Sequence, residues 1–169
     1  MKKTLRILFP FLILGLLTLL FFGIRRQFEI RSKVEKATAT LPAETFNGLN
    51  GKTETFKNRK GNAVFLVFFH SECDYCQNEA RLLHENREVF SPASVYLLSA
   101  EPQENIRAFK EKYLPGNDDF TVGQIDGEVA SAVFGVKSFP HTLIYDKDSR
   151  LVKTYKGIVK LEALTAYIQ

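Results

Sequence analysis

The chain has 169 residues, 45% of them apolar and 25% charged, with two cysteines and no tryptophan. That length holds one ordinary domain with a short extension. The apolar share excludes a disordered chain, and two cysteines are too few for a disulfide-stapled mini-protein. The net charge of +4 is unevenly placed: residues 1–40 carry eight Lys/Arg against two Asp/Glu, whereas residues 41–169 carry 15 against 17. The folded part therefore has no basic footprint for phosphates, and nucleic acid is not an expected partner.

Residues 7–24 (ILFPFLILGLLTLLFFGI) contain no charge, with Lys2, Lys3 and Arg6 before them and Arg25 and Arg26 after. As a helix the run would reach roughly 27 Å, enough for a thin hydrocarbon core. A cleaved signal peptide would need small residues at its exit, whereas this run ends in Phe21-Phe22-Gly23-Ile24. The run also has no polar face, unlike a helix packed on a globular core. Residues 1–24 are accordingly expected to form an uncleaved signal anchor, a single transmembrane helix. Three Lys/Arg precede the run and five follow within a dozen residues, a distribution that by the positive-inside rule does not favour an exported C-terminal domain. Residues 25–41 are charged with alternating sign and read as a stalk.

From 42 to 169 the pattern alternates strand and helix. Segments 45–49 and 53–56 flank Asn50-Gly51, a short-hairpin signal. Residues 63–69 (AVFLVFF) form an unbroken β-branched and aromatic run, as in a strand buried on both faces. Helical spacing over 74–89 is followed by a strand at 94–98 and a helix at 102–113. A short strand is expected at 120–122 and a short helix at 127–134. Strands at 142–145 and 151–155 enclose a turn, and a helix over 161–168 ends the chain. This interleaving predicts an α/β sheet with helices on both faces.

Both cysteines fall in Cys73-Asp74-Tyr75-Cys76, where the buried strand ends and the next helix begins. A helix N-terminus has unpaired N–H groups and a positive dipole end, which favour a thiolate. Cys73 at the tip is therefore the expected nucleophile, and Cys76, one turn in, the expected resolving thiol. Three readings compete. A zinc site would lack the usual four ligands unless His70, His84 or His141 joined. A structural disulfide would gain little entropy from so short a loop. Redox exchange suits the strand–C-x-x-C–helix context. A copper(I) carrier without reductase activity, using Cys73 and Cys76 with His141 or His70, is the alternative function, because soft thiolates suit that ion.

The stretch 63–76 resembles the active-site strand and helix of the thioredoxin superfamily, and more closely that of the membrane-tethered TlpA/ResA-like thioredoxins. Further matches are Glu79, which continues C-x-x-C-x-x-E, and Phe139-Pro140-His141-Thr142, similar to the family's cis-proline loop. The long interval from Cys76 to Pro140 matches the group's strand–helix insertion, and Asp146–Arg150 with Gly157 its terminal hairpin. The resemblance implies a thioredoxin-like α/β fold, a central mixed sheet flanked by helices. It further implies catalysis by Cys73, Cys76 and Glu79, with Glu79 assisting proton transfer, and substrate binding at Phe139, Pro140 and His141. It implies no bound organic cofactor and no metal. Partners would be protein disulfides, apocytochrome c among them, and a membrane thiol donor of the DsbD/CcdA kind. The location implied is the cell membrane, with the domain on the exported (periplasmic) side, where a dithiol would be tethered.

The chain departs from the family pattern in three places. Glu72 stands where Trp is common, Asp74-Tyr75 lacks the usual proline, and Val67 occupies the position of the buried acid of ordinary thioredoxins. Glu72 and Asp74 put negative charge beside Cys73, which opposes a thiolate and predicts a reductant or isomerase, not a strong oxidant.

Overall fold

A computed structural model of the protein describes residues 2–59, 61–117 and 119–168, with side chains from Leu14 onward. The chain divides into two units, residues 1–36 and 37–169. The described part of the first belongs to one helix, α1 (Lys2–Thr38), which covers residues 25–38 of the segment expected as a stalk. The expected transmembrane helix is recovered as a helix but not as a span: among the described residues none is long and apolar enough to cross a membrane. Residues 7–13 of the expected anchor lie outside the described side chains.

The second unit contains β1 (Thr45–Gly48), β2 (Thr53–Thr55), β3 (Val64–Phe68), α2 (Asp74–Glu85), β4 (Ser94–Ser99), α3 (Gln103–Tyr113), β5 (Thr121–Gln124), α4 (Gly127–Ala132), β6 (His141–Tyr145), β7 (Leu151–Lys156) and α5 (Leu161–Thr165). Its strands form one mixed sheet in the order β2-β1-β5-β4-β3-β6-β7. β3, β4 and β5 are parallel, and β6 runs antiparallel to β3. The central position of β3 explains its composition: all five of its residues are buried, so neither face can be polar.

Strand alternation sends β3 side chains into two separate cores. Phe65 and Val67 join Ala80 and Leu83 of α2 and Ile106 and Phe109 of α3. Val64, Leu66 and Phe68 join Phe46, Tyr96, Phe134 and Leu143 beneath α4. In the second core Phe56 stacks on Phe46 and meets Tyr96 and Phe134 edge-on, with ring centroids 5.2–5.7 Å apart. Gly123 of β5 lies against this aromatic group: a Cβ there would stand 2.6 Å from Phe46 Cδ2 and 2.8 Å from the Asn47 carbonyl oxygen.

Three helices stop earlier than the sequence predicts, α4 at Ala132 among them. α2 ends at Glu85, where the Asn86 amide turns back onto the Leu82 and His84 carbonyls and its side chain onto Leu82 O at 2.8 Å. α5 ends at Thr165.

Candidate active site

β3 ends at Phe68, and the chain crosses the top of the sheet through residues 69–73 before entering α2. Cys73 is the N-cap of that helix, in extended backbone with φ −84° and ψ 111°. Its sulfur occupies the place a serine or aspartate oxygen would take: Sγ accepts the Cys76 N–H at 3.4 Å. The Cys73 thiol in turn faces the Phe139 carbonyl oxygen at 3.9 Å. Both cysteines are free thiols, Cys73 half-buried and Cys76 buried. Burial is the chief reason the Cys76 thiol is pushed far above its ordinary value, reinforced by the hydrogen bond with Cys73 and the nearby Glu79 carboxyl.

Glu79, one turn beyond Cys76, is only 5% exposed. Its Oε1 accepts a hydrogen bond from the Thr142 hydroxyl at 3.1 Å, while Oε2 is buried without a partner. Burial lifts its carboxyl from 4.5 to about 7, against the smaller opposing effect of the Thr142 hydroxyl. Thr142 is the register partner of Val67 on the neighbouring strand. The acid therefore reaches the underside of the sheet from the helix, beside an apolar strand position.

The Phe139–Pro140 peptide bond is cis, and the Pro140 carbonyl accepts the Gly157 N–H at 2.8 Å. Phe139 is 38% exposed beside Cys73. His141 does not line this site. It follows Pro140 on β6, but alternation turns it to the opposite face from Thr142, where it meets Phe68 edge-on at 6.2 Å in the core beneath α4. It is 1% exposed with both ring nitrogens unpartnered, and burial followed by the charge of Lys156 lowers it from 6.5 to about 4. His141, expected among the substrate-binding residues, is instead a neutral core residue on the far side of the sheet. Among the described residues no group of three or more His, Cys, Asp or Glu could hold a metal ion.

Two features escaped the sequence. Thr142 is visible in the sequence only as part of the proline loop, yet its hydroxyl hydrogen-bonds the Glu79 carboxyl. Glu101, between β4 and α3, accepts from both the amide and the hydroxyl of Ser71, at 2.7 and 2.6 Å. The parallel register would have exposed this pairing: Phe68 aligns with Leu98, and Ser71 and Glu101 each lie three residues further on. A groove of about 520 Å³ also opens beside Glu79, lined by Tyr75, Leu82, Ile158 and Leu161 among others, with Tyr75 and Ile158 largely exposed.

Comparison with known proteins places the chain in a family. Residues 49–169 match the model of the thioredoxin-like domain family. The chain is 27% identical over 140 residues to the thiol-disulfide oxidoreductase ResA of Bacillus cereus, covering 82% of this chain and 81% of that protein. It is 25% identical over 173 residues to the ResA of Geobacillus thermodenitrificans, covering 100% and 98%. A thioredoxin-like protein from Aeropyrum pernix superposes with a TM-score of 0.63 at 21% identity, over 85% of this chain and 97% of that one. The chain belongs to the thioredoxin-like domain family, as a thiol–disulfide oxidoreductase.

Proposed function

We propose that the protein is a membrane-tethered enzyme that reduces or isomerises protein disulfides through Cys73 and Cys76 on the exported side of the membrane. The observation that carries this reading is the division of labour along one helix: a half-buried sulfur at the N-cap of α2, a buried thiol one turn in, and a buried carboxyl one turn further.

The Cys73 thiolate attacks one sulfur of a substrate disulfide; a Cys73–substrate bond forms and the other substrate sulfur leaves as a thiolate. Cys76 completes the exchange. Its raised proton affinity keeps it a thiol at neutral pH, so it needs a proton acceptor before it can attack Cys73. Glu79, with a carboxyl at about 7, is matched to that task, since a general base works best near the ambient pH. Loss of the Cys76 proton lets its sulfur attack Cys73 Sγ. The second substrate thiolate is released, and the electron pair has passed to the substrate as Cys73–Cys76 becomes a disulfide. Phe139, beside Cys73, and the groove at Tyr75 and Ile158 offer exposed apolar surface of the kind an extended polypeptide requires.

Residues 7–24, uncharged throughout, carry the proposed tether. Apocytochrome c is a candidate substrate and a membrane dithiol donor of the DsbD/CcdA kind the source of electrons. Full-length protein should reduce insulin disulfides, resist extraction from membranes by alkaline carbonate, and lose reductase activity on Cys73→Ser. Metal-loaded protein without reductase activity would replace this reading with the copper(I) carrier.

A further inference from the structure

Cys73 is held from its C-terminal side by α2, but the segment before it, residues 69–72, belongs to neither strand nor helix. One carboxylate organises that segment. Glu101 follows β4, and its side chain is only 10% exposed. Oε2 accepts the Ser71 amide at 2.7 Å and the Ser99 hydroxyl at 3.0 Å, and Oε1 accepts the Ser71 hydroxyl at 2.6 Å. His70 Nε2 stands 3.7 Å from Oε1. Glu101 is itself fixed: its carbonyl accepts from Gln124 Nε2 at 2.8 Å and its amide donates to Ser99 Oγ at 3.3 Å.

The hold is passed on to the cysteine. The Ser71 carbonyl accepts from Gln77 Nε2 on α2 at 2.9 Å, and the Cys73 amide donates to the His70 carbonyl at 3.1 Å. The His70 ring also lies 6.0 Å from the Phe139 ring, centroid to centroid, which joins the segment to the proline loop. Burial acts to raise the Glu101 carboxyl, but the Ser71 hydroxyl and amide, the Ser99 hydroxyl and the neighbouring His70 together hold it below the usual carboxylate range. It therefore stays an acceptor for all of these donors across the neutral range.

We infer that Glu101 is a positioning residue of the dithiol: by gripping both donors of Ser71 it fixes the turn that presents Cys73 to Cys76 and to substrate. This rests on the proposed role of the two cysteines. A carboxylate suits the place because Oε2 accepts the Ser71 amide and the Ser99 hydroxyl while Oε1 accepts the Ser71 hydroxyl. A glutamine keeps one acceptor oxygen, so the Ser71 hydroxyl would have to turn from donor to acceptor and the charge that strengthens all three bonds is lost. Without the grip, Cys73 samples more positions, the effective concentration of one thiol at the other falls, and the Cys73–Cys76 disulfide forms less readily.

The test is the equilibrium with glutathione, in which the dithiol passes two electrons and two protons to oxidised glutathione, giving the Cys73–Cys76 disulfide and two reduced glutathiones. Full-length protein in detergent is used as wild type, Glu101→Gln, Ser71→Ala and the exposed control Glu111→Gln. Glu101→Gln should lower the equilibrium constant for disulfide formation about tenfold, equivalent to roughly 30 mV. Ser71→Ala, which loses only the hydroxyl, should lower it in the same direction by less, and Glu111→Gln should leave it unchanged. If Glu101→Gln fails to fold, Ser71→Ala decides alone. Wild-type values in both variants would overturn the inference. So would a shift in Glu101→Gln with none in Ser71→Ala, which would assign the effect to charge and not to position. A wild-type protein that exchanges no disulfides would instead overturn the proposed function.

Discussion

Glu79 and His141 are buried on opposite faces of the sheet and couple folding to pH with opposite sign. Burial raises the Glu79 carboxyl from 4.5 to about 7, so between those values the folded chain keeps a proton the unfolded chain has released. That contribution to stability is fully present below 4.5 and is lost as pH rises through 7. Burial, with the charge of Lys156, lowers His141 from 6.5 to about 4, so here the unfolded chain holds the extra proton. That contribution is fully present above 6.5 and is lost as pH falls through 4. Each displacement is worth about 3 kcal/mol at roughly 1.4 kcal/mol per tenfold change in proton affinity. The two nearly cancel between 4.5 and 6.5, so these groups leave the wild-type stability almost flat there. Glu79→Gln removes one side of the balance while its amide oxygen can still accept from Thr142. Urea unfolding of reduced protein at about pH 4 and about pH 8 should show the variant gaining on the wild type by about 3 kcal/mol over that interval. Cys76 stays protonated throughout, and contributions common to both proteins cancel in the difference. A difference that is constant with pH would mean that Glu79 titrates in the folded chain as it does in water, and the argument from burial would fail.

The wild-type rate of disulfide exchange should rise through about pH 7, and the same substitution should remove that rise. The limiting rate should fall by on the order of 100-fold in stopped-flow assays. Cys76→Ser should accumulate mixed disulfides with protein substrates at Cys73, readable by non-reducing gels and mass spectrometry, whereas Cys73→Ser should accumulate none. Gly123→Ala places a methyl group 2.6 Å from Phe46 and 2.8 Å from a backbone oxygen, so it should destabilise the domain by about 1–3 kcal/mol in denaturant titrations while leaving the dithiol reactive.

The features legible in the sequence are those written in a single element. The AVFLVFF run announces a doubly buried strand, and β3 is one. Cysteines at that strand's exit announce a helix N-terminus, and Cys73 caps it through its sulfur. The end of α2 was less legible because Val89 falls seven residues after Leu82, on the same helical face, while the actual stop is an Asn86 side chain folding back on Leu82. Contacts between elements were illegible for a different reason. The Glu101–Ser71 pair depends on β3 and β4 being parallel neighbours in one particular register, which no local pattern states.

The site depends most sharply on the register of β6. His141 and Thr142 are adjacent, both buried, and aimed at different cores. In the observed register Thr142 sits beside Val67 and offers its hydroxyl to Glu79, while His141 sits beside Phe68 and meets an aromatic wall. A slip of one residue would exchange them, because side chains alternate strictly along a strand. An imidazole would then stand over α2 next to Glu79, and an ion pair there would hold the acid as a carboxylate well below its present value. Glu79 would lose the proton affinity that suits it to serve Cys76. The core chain on either side prevents the slip: Leu143 and Tyr145 must face the aromatic cluster beneath α4, and Ile144 must face α2. The proton chemistry proposed for one face of the sheet is thus fixed by hydrophobic packing on both.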